Sequence, residues 1–298
     1  MVSFTNENTT KKQHESSEAI TAANVKIKPH GFTDDRRGVL QVPLMAKARM
    51  PAQNIEASGS EGVASCSVCL TYEFSLCAAI KRKNNSSNPE ADEPLITSSV
   101  HTIPSRRTIC HAKEWSEFVT VICKGWAASS SALPDGRRQI HSILLPGDVV
   151  LSTGPFNPVF GHTVEAITDV TYRRYKRSEL EALIFEDPDL FKRVTDMWGE
   201  ARSHAHQLAL SLGRRTAHER ISSFILMLAE SLARRGMMTD DTMDFPLRLK
   251  HIADATGLTP VHVSKVQTEF QRAGLIKTKD RSMTILDRVE LRHIAGPQ

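Results

Sequence analysis

Three cysteines, Cys66, Cys69 and Cys77, are spaced C-x2-C-x7-C within twelve residues. Thiolates are soft ligands, and a pair that brackets a turn with a third about two helical turns on can converge on one soft metal centre. Cys110 and Cys123 stand further along. Either can supply a fourth thiolate, with Cys123 the candidate taken here, and either can instead be a small buried hydrophobe. An iron–sulfur cluster, a zinc site, a reversible disulfide and cysteines with no sensing role all stay open on spacing alone. Five cysteines without an export signal ahead of them do not suggest a disulfide scaffold.

A second chemistry lies in Leu249–Ile276, LKHIADATGLTPVHVSKVQTEFQRAGLI. Its pattern predicts two short helices around a reversal at Gly257, where glycine supplies φ > 0. Thr259 suits the N-cap of the second helix and Pro260 its first position, where no N–H is needed. Leu258, Val263, Val266 and Phe270 then face inward with Leu275 and Ile276. That leaves Val261, His262, Ser264, Lys265 and Thr268 outside, with Thr259 at the leading end. An exposed second helix advancing by its N-terminus is the geometry that enters a major groove. Lys265 can reach a guanine edge or a phosphate, Ser264 can donate to either, and His262 can hydrogen-bond to a base. Val261 has only a thymine methyl to touch. Arg248, Lys250, Arg272, Lys277 and Lys279 flank the unit as phosphate contacts.

The rest of the chain must position these groups. At 298 residues it is long enough for about two domains, and 40% apolar content is low for a chain packed throughout. No apolar run reaches transmembrane length, and the N-terminus lacks the apolar core of a secretory signal, so a cytoplasmic protein is expected. The net charge of +4 is not evenly spread: residues 1–212 hold 24 Lys+Arg and 24 Asp+Glu, while Gly213–Gln298 holds 14 and 10. A basic module behind a neutral one suits a polyanionic partner. Nothing resembles a nucleophile elbow, a P-loop or a dinucleotide fingerprint, so no enzyme is expected.

Residues 1–60 read as a disordered extension and 61–100 as the cysteine segment with a polar linker, Lys81–Pro94. Residues 101–185 read as a small β-roll, with short strands at Phe118–Cys123, Gln139–Leu145, Val149–Leu151 and Val170–Tyr175. Residues 186–213 read as one long helix. In it Phe191, Val194, Trp198, Ala201, Ala205, Leu208 and Leu212 recur at alternating spacings of 3 and 4, the narrow heptad seam of helices that pair between chains. Residues 214–298 read as a helical unit ending in a hairpin near Lys277–Leu286. The fold class is α+β.

On GRRTAHERISSFILMLAESLARRG, on Ala253–Lys265 and on Gly125–Val150, the chain resembles the CRP/FNR superfamily of bacterial transcription regulators. The resemblance spans about 105–290. It implies a cyclic-nucleotide-binding-like β-roll, a dimerisation helix and a C-terminal winged helix-turn-helix. It further implies a homodimer on double-stranded DNA with a palindromic operator, and RNA polymerase as a partner. Its oxygen-sensing branch carries a cysteine cluster ahead of the roll, which implies an iron–sulfur cluster on Cys66, Cys69 and Cys77. The fourth cysteine of that branch falls near Arg173 here. The Glu-Ser-Arg triplet of many members is Val261, Ser264 and Lys265, so the operator does not transfer. Gly154–Thr163 lacks the Glu and Arg that hold a cyclic nucleotide, which disfavours cyclic AMP. The alternatives are a metal- or thiol-dependent redox enzyme, or a dimerising interaction protein that does not bind DNA.

Overall fold

The computed structural model describes residues 75–80, 96–150 and 157–296. The expectations for the extension 1–60, the linker Lys81–Pro94 and the ligands Cys66 and Cys69 lie outside the described residues.

Eight strands build the roll: β1 (Ser98–Ile103), β2 (Thr108–Cys110), β3 (Phe118–Lys124), β4 (Ala127–Ala132), β5 (Arg138–Leu144), β6 (Val149–Val150), β7 (Thr163–Ala166) and β8 (Val170–Lys176). They form two antiparallel sheets, ordered β1-β8-β3-β6 and β2-β7-β4-β5. Alternation sends Ile122, Val170 and Tyr172 of the first sheet and Ala127, Leu144 and Val164 of the second into one core between them. The opposite face of β3 presents Val121 to an outer layer. There a helical turn, α1 (76–80), packs with α2 (Arg177–Glu186) through Leu76, Ile80, Leu180 and Leu183.

The long helix starts at Pro188, two residues after the expected 186, and a separate helix, α2, precedes it within the residues expected to belong to the roll. Asp187 adopts extended backbone between α2 and α3 (Pro188–Arg214), and its carboxylate accepts from the N–H groups of Asp189 (3.0 Å) and Leu190 (3.1 Å). With Pro188 at the first helical position, this is a strong N-terminal signal. Gly213 sits inside α3, and the helix ends one residue later. Among the described residues no helix is long and apolar enough to cross a membrane.

The C-terminal unit is organised by α4 (Ala217–Ala233). A reciprocal capping box starts it, Thr216 N–H to Glu219 Oε2 at 2.6 Å and Glu219 N–H to Thr216 Oγ1 at 3.4 Å. Ile221, Ile225, Leu226, Leu228 and Leu232 are fully buried along it, each contributing about 1.5–3 kcal/mol of apolar burial. Around it lie β9 (Met238–Thr239), β10 (Thr242–Asp244), α5 (Leu249–Thr256), α6 (Pro260–Arg272), β11 (Ile276–Lys279), β12 (Ser282–Ile285) and α7 (Arg288–Ala295). The strands form a third antiparallel sheet, β11-β12-β10-β9.

The roll and this unit share a core. Trp126, Ala128, Ile140 and Leu145 of the roll belong to the same buried cluster as Ile221, Leu228, Ile252 and Val263. Polar clamps frame it. Arg138 Nε donates to Asp254 (2.9 Å) and its Nη1 to Glu165 (3.0 Å), while Gln139 Nε2 donates to the Ala255 carbonyl (3.1 Å). Arg235 pairs with Asp148 and donates to the Pro146 carbonyl (3.0 Å).

Gly257 lies at the centre of these contacts, with φ +65°. A Cβ placed there would stand 2.7 Å from Leu212 Cδ2 and 3.9 Å from Gln139 Oε1. Gly257→Ala therefore meets both left-handed strain, on the order of 1–2 kcal/mol, and a steric clash with Leu212. Equilibrium urea unfolding should show a lower midpoint with an unchanged slope, and a midpoint equal to the parent's would refute the packing described.

Candidate nucleic-acid interface

The helix-turn-helix is closed at Gly257. The Leu258 N–H bonds to the Ala253 carbonyl at 3.1 Å, and Thr256 Oγ1 donates to the Ile252 carbonyl at 2.7 Å, which satisfies carbonyls that a helix end leaves open. Thr259 Oγ1 accepts from the His262 N–H at 3.2 Å, and Pro260 opens α6. One seam of α6, Val263, Val266 and Phe270, is buried. The opposite face carries Val261, 80% exposed, with His262, Ser264, Lys265 and Thr268 also exposed. Thr259 is exposed at the tip. The six candidate residues thus lie together on one surface. Two have internal duties as well: Thr259 caps the helix, and Thr268 Oγ1 donates to the Ser264 carbonyl at 2.9 Å.

The electrostatics of α6 favour an anion in front of it. The helix N-terminus brings unsatisfied N–H groups and partial positive charge. Its single acidic residue, Glu269, is drawn back to His218 Nε2 at 2.7 Å on α4. Gln271 Nε2 donates to Thr278 Oγ1 at 2.6 Å, tying α6 to the hairpin β11–β12. In that hairpin Lys279 pairs with Ser282 across a two-residue tip, Asp280 at φ +50° and Arg281 at φ +62°. Two positive φ values give the type I′ turn whose twist matches paired strands. Lys277, Lys279 and Arg281 are exposed along it, and so are Arg248 and Lys250 at the start of α5. Sequence reasoning missed Gln271 and Arg281; the exposed i, i+7 relation of Gln271 to Thr278 follows only from hairpin register.

The seam residues of α3 are exposed or only partly covered. Phe191 (44% exposed) and Ala205 are exposed, and Val194, Trp198, Ala201, Leu208 and Leu212 are half-buried. Only Leu190 of the 27 residues is buried. Arg220 joins this helix to the helix-turn-helix by donating to the carbonyls of Leu212 (2.9 Å), Arg215 (2.8 Å) and Thr256 (3.2 Å).

The described cysteines separate. Cys77 is half-buried on α1 and packs against the outer cluster that contains Val121. Cys123, two residues from Val121, is the extra residue where the β3–β8 register shifts between Ile122 and Lys124, a bulge of the kind that re-aims a side chain. Cys110 is buried between the sheets, and burial pushes its thiol up to about 12. Among the described residues no cluster of three or more His, Cys, Asp or Glu is placed to hold a metal ion. Within Gly154–Thr163, the described end shows His162 Nδ1 sharing the Ser131 hydroxyl with His141 Nε2, at 3.1 and 2.9 Å. Burial holds both imidazoles below their usual pKa.

Two family descriptions match this chain, a cyclic nucleotide-binding domain over residues 100–187 and a Crp-like helix-turn-helix domain over 219–294. The transcriptional activatory protein AadR of Rhodopseudomonas palustris is 33% identical over 58% of this chain and 72% of its own length. The nitrogen fixation regulation protein FixK of Bradyrhizobium diazoefficiens is 29% identical over 78% of this chain and 94% of its own. Among solved structures, FixK2 of Bradyrhizobium japonicum is similar with a TM-score of 0.62 and 29% identity, covering 68% of this chain and 99% of that one. With a two-sheet roll, a long helix and a winged helix-turn-helix in that order, the chain belongs to the CRP/FNR superfamily and is a DNA-binding transcription regulator, not an enzyme.

Proposed function

We propose that the protein acts as a cytoplasmic homodimer on a palindromic operator, with α6 in the major groove, and that it answers to oxygen or redox state through its N-terminal cysteines. The observation that supports the first part is the exposed face of α6. Thr259, Val261, His262, Ser264, Lys265 and Thr268 share it, and the one acidic side chain of the helix is turned away. Lys265 and Ser264 read base edges, and Val261 lies against a thymine methyl. Lys277, Lys279, Arg281, Arg248 and Lys250 engage phosphates.

The pairing element is α3. An apolar seam from Phe191 to Leu212 that the chain covers only in part is what a second copy buries, with Ala201 and Ala205 allowing close approach. Two-fold pairing of α3 sets two copies of α6 on two half-sites. RNA polymerase is the further partner that family membership suggests.

For the sensor, Cys66, Cys69 and Cys77 are the thiolates that would hold an iron–sulfur cluster, and Cys123 is the fourth. Cys123 is half-buried at a bulge, near the layer where Cys77 packs. Cys110, raised in pKa inside the roll, is the poorer donor. When bound, the cluster supplies chemistry that oxygen can change. The polypeptide's part is to pass that change from α1 and β3 to α3, through the cluster of Leu76, Val121, Leu180 and Leu190 that both share.

Lys265→Ala should weaken specific binding by about 1–3 kcal/mol and relax the preference at one base position. Lys279→Ala should weaken all duplexes alike and reduce the salt slope by about one. Fluorescence anisotropy against specific and random duplexes separates the two, and unchanged affinity with Lys265→Ala would remove that residue from the reading surface. Protein purified without air should carry iron and sulfide, lose both in Cys123→Ala and keep them in Cys110→Ala. Absence of both elements in the parent, with DNA binding indifferent to air, would sink the redox reading.

A further inference from the structure

The helix that faces DNA carries one acid among its bases. Glu269 of α6 stands four residues after Lys265 and three before Arg272, the spacings at which side chains on a helix surface meet. Lys265 and Arg272 are both exposed. A carboxylate left free at this position would pair with one of them and lower the positive charge offered to a duplex. The fold prevents that. Glu269 Oε2 lies 2.7 Å from His218 Nε2 on α4. Among the described residues neither Lys265 nor Arg272 takes part in an ion pair or a side-chain hydrogen bond.

The imidazole is itself held in place. His218 lies in the first turn of α4, which the reciprocal cap of Thr216 and Glu219 fixes. Its ring meets that of the buried Phe270 edge-on, with centroids 5.7 Å apart. The neutral ring with its proton on Nε2 and the imidazolium can both donate to the carboxylate. Helix stability does not account for the pair. Glu269 is in the last turn of α6, where the dipole disfavours an acid, and His218 is in the first turn of α4, where it disfavours a cation. The side chains are 47% and 40% exposed, and pairs in that setting add little to folding.

We propose that His218 is a positioning residue for DNA reading: it draws Glu269 off the DNA-facing side of α6 and so keeps Lys265 and Arg272 unpaired for the duplex. The inference rests on the proposed reading role of Lys265. Released from His218, the carboxylate returns to Lys265 or Arg272 along the helix. It also sets a negative charge against the phosphates, which weakens binding at every sequence.

Fluorescence anisotropy of the full chain on its specific duplex tests this through the rescue that a purely structural pair would not give. His218→Ala should bind about threefold or more weakly. Glu269→Gln should bind at least as well as the parent, and the double variant should return to within about twofold of it. His218→Gln, which keeps a side-chain N–H donor, should stay near the parent. Circular dichroism checks that the variants fold, and Glu269→Gln alone carries the test if His218→Ala does not. Weaker binding by Glu269→Gln, an undiminished loss in the double variant, or unchanged binding by folded His218→Ala would each overturn the proposal. Lys265→Ala separates this from failure of the reading role: if it weakens binding while folded His218→Ala does not, Lys265 reads DNA and His218 does not position it.

Discussion

A continuous apolar core joins the β-roll to the DNA-reading unit, and the placement of α6 depends on it. Trp126, Ile140 and Leu145 enter the cluster that α4 builds with Ile221, Leu228 and Ile252. Interiors are packed like crystals and do not deform smoothly, so a shift on one side must be met by a shift on the other. The polar clamps of Arg138, Gln139 and Arg235 ring this core where polar groups still reach solvent, which fixes orientation more than it adds net stability. Gly257 is the tightest point. Leu212 from the end of α3, Gln139 from the roll and Arg220 from α4 all approach the same turn.

That convergence explains how a sensor can act on a groove-reading helix without touching it. The α3 seam ends at Leu212, whose carbonyl Arg220 holds together with that of Thr256 in the helix-turn-helix. In the proposed dimer, a change in how two copies of α3 pair would be delivered by one guanidinium and one turn. At its other end α3 begins beside the outer layer of the roll, where Leu190 is buried with Leu76 and Val121. The roll and α6 are linked through packed side chains with no flexible tether among the described residues.

Much of this was legible in the residues. The α6 seam of Val263, Val266 and Phe270, the reversal at Gly257 and the hairpin near Lys277 follow from periodicity and turn chemistry, because a helix with one buried face announces it every three to four residues. The strands that escaped were those with weak patterns. β4, AASSSA, reads as a loop because its small polar side chains hide the alternation. β2 and β7 are too short for a period, and α7 was overlooked at eight residues. The start of the long helix is legible in its acidic first turn with Pro188, whereas α2 lies inside residues expected to belong to the roll.

The proposed dimer sets two copies of α6 on DNA with two-fold symmetry. Duplexes selected from a random pool by the full-length protein, then footprinted, test this directly. The expected product is an inverted repeat whose half-sites lie about one helical turn apart, roughly 10 bp, with protection of the major groove in each. Enrichment of an asymmetric site with a single protected face, or no enrichment above random sequence, would contradict it.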